Sequence, residues 1–281
     1  VITILWVSPF WNKLKKIIAT AAAFGNGNLD LRVRISKYSS LHPLAETFNK
    51  MADRIQQLIS AQQDLTNAVS HELRTPIARL RFGLEMYESS NAEEAKAKYS
   101  LGMNNDIDEL DDLVSEILTY ARLNRELPRL RLEEQAIVPW IHQVAASLDH
   151  LATKQTHIQC ITESLPDKVK VHFDARLMER AVLNLLQNAI RYGNGRIQIV
   201  LELTNGSCLI HVDDDGPGIP EADRQRIFEP FTRLDSSRNR ATGGFGLGLA
   251  IVKGVADSHQ GTLNITKSPL GGCRVTLQWP G

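Results

Sequence analysis

Cysteine is scarce in this chain: three in 281 residues, at 160, 208 and 273, with no CxxC pair. An odd, unspaced set argues against a disulfide framework or a zinc site and suits reduced thiols in the cytosol. An excess of charge of either sign is also missing, Lys+Arg and Asp+Glu standing at 32 each, so no net field points to nucleic acid or an anionic membrane. The apolar N-terminus, Val1 to Val7, is far shorter than the roughly 20 residues that cross a bilayer, and it lacks the basic lead of a signal peptide. Walker A, HRD and DFG patterns are absent, which weighs against P-loop enzymes and Ser/Thr protein kinases. Repeats and low-complexity tracts are absent too.

What is there fills about two ordinary domains. Trp6 and Trp11 suit an interfacial belt, and Lys13, Lys15 and Lys16 follow where cytoplasmic positive charge belongs. Residues 1–8 therefore read as the end of a truncated transmembrane helix, the alternative being a plain hydrophobic helix start. Residues 9–60 carry two helical stripes, Leu14, Ile17, Ile18 and Ala21, then Leu44, Phe48, Met51, Ile55, Leu58 and Ile59. Gly25 to Asn28 stops the first, and Leu29 to Leu41 forms an extended connector. The second stripe runs on into residues 61–127, where Leu65, Val69, Leu80, Leu84 and Tyr87 keep three- and four-residue steps. Ser89 to Asn91 interrupts it. Another long helix follows, striped by Tyr99, Met103, Ile107, Leu110, Leu113, Val114, Ile117 and Leu118. Two such helices cannot bury both stripes alone; a second copy completes a four-helix bundle, which predicts a homodimer. The acidic run Asp106, Asp108, Glu109, Asp111 and Asp112 reads as a solvated face rather than a metal site.

Pro128 marks a hinge, and from 131 to 281 strands and helices alternate. A helix is expected over 137–152, strands over 158–162 and 169–173, and a helix to Tyr192 with Asp174 as its N-cap. Strands over 196–202 and 207–213 flank Asn205-Gly206, a hairpin signal. Strands at 261–266 and 273–278 end the chain. The expected fold is a helical bundle followed by an α/β sandwich.

Four segments carry chemistry. Ser70-His71-Glu72-Leu73-Arg74-Thr75-Pro76 puts an imidazole beside a carboxylate within one helical turn, a nucleophile with a base at hand. Pro76 leaves carbonyls of the preceding turn unpaired and kinks the helix there. Taken alone, His71 is a solvated histidine. Asn184-Leu-Leu-Gln-Asn188-Ala-Ile-Arg191-Tyr192 offers carboxamide oxygens to a hard cation without adding negative charge beside phosphates; a capping or core asparagine is the alternative. Asp213-Asp-Asp215-Gly216-Pro-Gly218-Ile219 ends a strand in acids, where a carboxylate can accept from an exocyclic amine and glycines admit a flat base, although a plain turn explains it equally well. Gly243-Gly-Phe-Gly246-Leu-Gly248-Leu249 precedes a helix and exposes its N–H groups to phosphate. It lacks the strand a Rossmann fingerprint needs, and the polar 233–242 before it reads as a lid.

Together, and in this order, these segments resemble the H, N, G1 and G2 boxes of sensor histidine kinases, with Ile227-Phe-Glu-Pro-Phe231 similar to the F box. Pro9, Glu46 and Phe48-Asn-Lys-Met51 resemble the HAMP linker of membrane receptors. The resemblance implies ATP with Mg²⁺, Asn188 as the metal ligand, and Asp215 as the adenine reader, with Asp213 and Asp214 as solvated neighbours. It implies nucleotide contacts from Asn184, Arg191, Tyr192, Gly216, Gly218, Ile219, Arg233, Gly244, Gly246, Leu247, Gly248 and Leu249. It also implies phosphorylation of His71 with Glu72 as base, transfer to an Asp of a response regulator, and regulator dephosphorylation through Thr75. A bacterial inner-membrane protein with this stretch in the cytoplasm follows, its preceding membrane helices outside this chain. The ATP-site segments alone fit the heat-shock 90 chaperones, MutL and gyrase B equally well; His71 and its bundle favour the kinase over an ATP-driven switch or a dead scaffold. The loop Tyr192-Gly-Asn-Gly195 is shorter than the family's.

Overall fold

The computed structural model describes residues 2–125, 130–148, 156–162, 165–204, 206–234 and 244–281. The expected hinge at Pro128, the 149–152 end of the expected helix, Asn205 and the 235–242 part of the expected lid lie outside them. Contacts divide the chain into two compact units, Val1–His71 and Glu72–Gly281.

In the first unit, α1 (Ile2–Gly25) is followed by a connector and the start of α2 (His42–Ser89). The connector has neither helix nor strand from 31 to 36, yet it is fixed: Asn49 on α2 donates to the carbonyl of Val33 at 2.9 Å and accepts from its N–H at 2.8 Å. Ile17, Val33, Leu41 and Ala45 form the small core this clip closes. Phe24 and Phe48 meet edge to face with centroids 5.9 Å apart. Leu44, Met51 and Leu58, seven residues apart, stay exposed, the spacing of a coiled-coil seam.

In the second unit α2 runs on through Pro76 to Ser89 and turns back as α3 (Glu93–Arg125). The acidic run is not all solvated, because Arg79 reaches across from α2 to Asp106 at 2.7 Å and to Glu109. The expected alternation follows: β1 (Glu133–Ala136), α4 (Ile137–Ala146), β2 (His157–Ile161), β3 (Lys170–Phe173), α5 (Ala175–Tyr192), β4 (Arg196–Thr204), β5 (Ser207–Asp214), α6 (Gly248–Ser258), β6 (Thr262–Lys267) and β7 (Cys273–Pro280). The main sheet has the order β2-β4-β5-β7-β6, with β2 parallel to β4 and the other pairs antiparallel. The strand β1, too polar to be read from its four residues, pairs antiparallel with β3.

Alternation builds the core. Cys208, Ile210 and Val212 on β5 and Val275, Leu277 and Trp279 on β7 face α4, α5 and α6 in one buried cluster. Burial pushes the Cys208 and Cys273 thiols up to about 12, so they remain protonated and apolar in character. Asp174 caps α5, its carboxylate accepting from the N–H groups of Arg176 and Leu177. The helix α3 packs against α6, where Gly254 lies beside Leu123: a Cβ there would come within 3.3 Å of that side chain.

Candidate nucleotide site and phosphoacceptor helix

One cleft gathers most of the expected residues. Asn184, Asn188, Arg191 and Tyr192 enter it from α5, Gly218 and Ile219 from the loop after β5, Arg233 from the described start of the lid, Gly244 and Gly246 from the segment before α6, and Gly248 and Leu249 from its first turn. Apolar walls come from Val212, Ile227, Phe245 and Val275. Asn184 is held by its own helix, Nδ2 donating to the carbonyl of Arg180 at 2.9 Å. Its Oδ1 sits so close to α6 that a Cβ on Gly248 would lie 2.8 Å away. Gly244 has the same relation to Arg191, whose Nη1 occupies the space of the missing Cβ. Gly246 is required for a further reason: its φ is +75, in the left-handed region open mainly to glycine. Its carbonyl accepts from the N–H of Phe231 at 2.9 Å. No side chain caps the first turn of α6, which leaves N–H donors and the positive dipole end at the cleft.

Of the three consecutive acids, the one in the cleft is not the one expected to read adenine. Asp215 lies outside the cleft lining; its Oδ1 accepts from the N–H groups of Asn194 (2.7 Å) and Arg196 (3.2 Å), and its Oδ2 from Arg196 Nε at 3.3 Å. Partial burial works to raise its pKa, but these donors hold the carboxyl below the usual range. Asp214 lines the cleft instead. Its Oδ1 accepts from the N–H of Gly216 at 2.8 Å and of Cys273 at 3.0 Å. Burial pushes its pKa up, those two donors oppose the rise, and the neighbouring Asp215 and Asp213 add to it. Asp213, expected to be solvated, is fully buried and gripped by the fork of Arg274, Nε to Oδ1 at 2.9 Å and Nη2 to Oδ2 at 2.7 Å. The cause is the pleat: successive side chains on a strand face opposite ways. Asp214 therefore shares the helix-covered face with Val212, and Asp213 points to the other face. The apolar alternation Cys208, Ile210, Val212 carried this signal.

Two other expected residues do not line the cleft. Leu247 is wholly buried in the core, where it seats the start of α6. Gly216 packs its α-carbon against the backbone carbonyl of Tyr192. The cleft also holds residues the motifs did not single out, among them Gln187, Thr232, Cys273 and Glu116, the last from α3.

On α2, His71 is exposed, Glu72 and Thr75 are half-buried, and Pro76 is buried. The helix continues past Pro76, which lies inside it. Thr75 and Arg79 line a groove with Tyr99, Met103 and Asp106 of α3.

Comparison with known proteins gives three family matches in chain order: HAMP domain over residues 8–57, His Kinase A (phospho-acceptor) domain over 61–126, and histidine kinase-, DNA gyrase B- and HSP90-like ATPase over 173–281. Sensor protein RstB of Escherichia coli K12 is 42% identical over 279 residues, 98% of this chain and 62% of that protein. Sensor histidine kinase GtrS of Pseudomonas aeruginosa is 33% identical over 273 residues, covering 95% of this chain and 52% of that protein. Sensor histidine kinase CpxA of E. coli K12 is 30% identical over 236 residues, covering 83% and 50%. The chain thus spans between half and three-fifths or so of the relatives it matches. Among solved structures, histidine kinase ThkA in complex with response regulator protein TrrA aligns with TM-score 0.66 and 23% identity over 88% of this chain and 68% of that one. Full-length ShkA in complex with AMPPNP aligns with TM-score 0.57 and 24% identity over 80% and 45%. Both likenesses concern the fold. Among the described residues no helix is long and apolar enough to cross a membrane.

Proposed function

This chain belongs to the sensor histidine kinases of two-component systems, and from that premise we propose that it phosphorylates His71 from ATP and passes the phosphoryl group to an aspartate of a response regulator. One observation carries the reading. A carboxylate at the end of β5, two carboxamides and an arginine from α5, and the uncapped start of α6 converge on a single cleft.

Each group has a role there. Asp214, whose hydrogen bonds both fall on Oδ1, offers Oδ2 to the amino group of adenine, and Val212, Ile227 and Val275 take the flat faces of the base. Arg191 and the N–H groups at Gly248 receive phosphate oxygens. Asn188, with Asn184 beside it, would hold Mg²⁺; a hard cation that keeps most of its water needs few protein oxygens. The cleft fits these groups because Gly244 and Gly248 lack the Cβ atoms that would collide with Arg191 and Asn184. When bound, the metal neutralises charge on the phosphates. On α2 the His71 imidazole attacks the γ-phosphorus, the bond to the β–γ bridging oxygen breaks, ADP leaves, and Glu72 takes the imidazole proton. Such general-base help is worth about 10² to 10⁴ in rate.

The finer parts of the proposal are a homodimer joined through α2 and α3, membrane attachment through segments preceding this chain, and dephosphorylation of the regulator with Thr75 orienting water. Incubating the chain with γ-labelled ATP should give an acid-labile label that His71→Gln abolishes while nucleotide binding persists. Label retained on that variant sinks the assignment. In the same assay Thr75→Ala should keep autophosphorylation within about fivefold and lose most regulator dephosphorylation, since an uncharged hydroxyl cannot replace the base. Equal losses of both would show that Thr75 only supports the helix.

A further inference from the structure

The helix α3 places one acidic side chain in the nucleotide cleft for which the proposed chemistry has no use. Glu116 lines it together with Asn184, Asn188 and Arg191, and its Oε2 is buried without a hydrogen-bond partner among the described residues. Two guanidinium groups of α5, those of Arg180 and Arg191, act on this carboxylate, and Asp112 acts from its own helix. Asp214 and Arg233 are the other charged residues of the cleft. Burial pushes the Glu116 carboxyl above its usual range, and the two arginines oppose that rise. The contact between the helices is fixed alongside, where Arg180 Nη2 donates to the backbone carbonyl of Ser115 at 3.1 Å.

Three roles are open to such a group, and charge separates them. A ligand for Mg²⁺ should not stand against two arginines, which repel the same cation. A packing residue has no need of a charge, and burying a carboxylate with an unsatisfied oxygen costs stability. The third role is that of an anion in an anion's place. Guanidinium groups attract carboxylate and phosphate alike, so a carboxylate lining the cleft beside Arg191 stands where it opposes a phosphate.

Resting on the nucleotide reading above, we propose that Glu116 sets a fixed negative charge against the phosphate subsite, a specificity-determining residue that sets ligand affinity by the charge of the phosphate chain. With the cleft empty its carboxylate feels Arg191 and Arg180 but pairs with neither. A phosphate chain must displace it or lie against it, so the penalty grows from nucleoside to diphosphate to triphosphate. Because Glu116 rides on α3, the coupling is reciprocal: a bound phosphate chain opposes docking of α3 by the same factor by which docked α3 weakens phosphate binding.

The test is calorimetric titration of the whole chain and of Glu116→Gln and Glu116→Asp with AMPPNP, ADP and adenosine, in Mg²⁺ and in EDTA. Gln keeps the size and removes the charge, and Asp keeps the charge. We expect Glu116→Gln to bind AMPPNP about tenfold tighter, within the usual range of coupling between sites, to gain less for ADP and to leave adenosine unchanged. The gain should persist in EDTA, and Glu116→Asp should stay near the wild type. A shift equal for all three ligands would mean a packing role and overturn the proposal. So would AMPPNP binding that is unchanged, or that weakens only when Mg²⁺ is present, the signature of a metal ligand. A wild-type chain that binds neither AMPPNP nor ADP overturns the nucleotide reading itself, and the proposal with it.

Discussion

In the α/β part Ile199, Leu201, Ile210 and Trp279 are sealed from solvent, whereas on α2 and α3 Phe82, Leu101 and Leu118 stay more than half exposed. The contrast is general. Among the described residues all but three of the exposed large apolar side chains, Leu132, Tyr192 and Leu203, precede residue 126. A sheet with helices on one face closes its own core because alternation sends every second side chain inward. A two-helix hairpin has no such closure, and its stripes await another surface. On the function proposed above, the difference teaches a division of labour: nucleotide recognition would need one chain, and the scaffold of the phosphoacceptor helix two.

The largest effect that could break this comparison is on assembly. If the exposed stripes of α2 and α3 are a dimer seam, Leu84→Lys with Ile107→Lys should turn a dimer into a monomer. Each buried aliphatic side chain is worth about 1.5–3 kcal/mol, so the dimer dissociation constant should rise more than about a hundredfold. Nucleotide affinity should hold within about twofold, additivity being expected for distant sites. Sedimentation equilibrium at several concentrations decides it. An unchanged dimer would move the seam elsewhere, and a wild-type monomer would remove it.

A smaller effect sharpens the other half. Asp214→Asn should weaken AMPPNP binding about tenfold or more, since hydrogen bonds to charged groups are worth about 1.5–3 kcal/mol. Asp215→Asn, outside the cleft lining, should change it less than about threefold, and neither should alter the oligomeric state. Titration calorimetry on both variants provides the check. The reverse order would restore the adenine reader to Asp215.

That pair also marks the limit of what could be read from the chain. The segments themselves were legible: the α5 motif, the glycines before α6, the hairpin about Gly206, and Asp174 as a cap, because each follows from local geometry. The choice among three consecutive acids was not settled by their nearness to glycine; it depended on which face of β5 was covered. The strand β1 was missed because Glu133 and Glu134 carry no apolar alternation, and its strand character comes from pairing with β3. Glu116 was beyond reach. Nothing in the stripe of α3 tells that this acid will line a cleft with Arg191 of a helix some seventy positions later.

The smallest effect concerns how far the α/β part stands alone. Asp174 ties its elements together: Oδ1 accepts from the N–H groups of Arg176 and Leu177, Oδ2 accepts from that of Arg131 at 3.0 Å, and its own N–H donates to His259 Nε2 at 3.1 Å. Burial works to raise its pKa, but the Arg131 and Leu177 N–H groups and the Arg176 guanidinium outweigh it and hold the carboxyl below the usual range. A carboxylate with a lowered folded-state pKa contributes stability that is fully present above its unfolded value, about 3.9. That contribution is lost as pH falls through the folded-state value. Asp174→Ala should therefore destabilise the chain by about 1 kcal/mol at neutral pH, the usual cost of a lost N-cap. The gap between variant and wild type should narrow as the pH drops below about 4. Asp174→Asn, which still caps but carries no charge, should fall between them. Urea unfolding followed by tryptophan fluorescence at pH 7 and at about pH 3, below the unfolded value, measures the gap, and sedimentation should show the same oligomer throughout. A gap that stays constant with pH would mean that the carboxylate's charge adds nothing to the cap. A variant that changed the oligomer would join the two regions that the burial pattern separates.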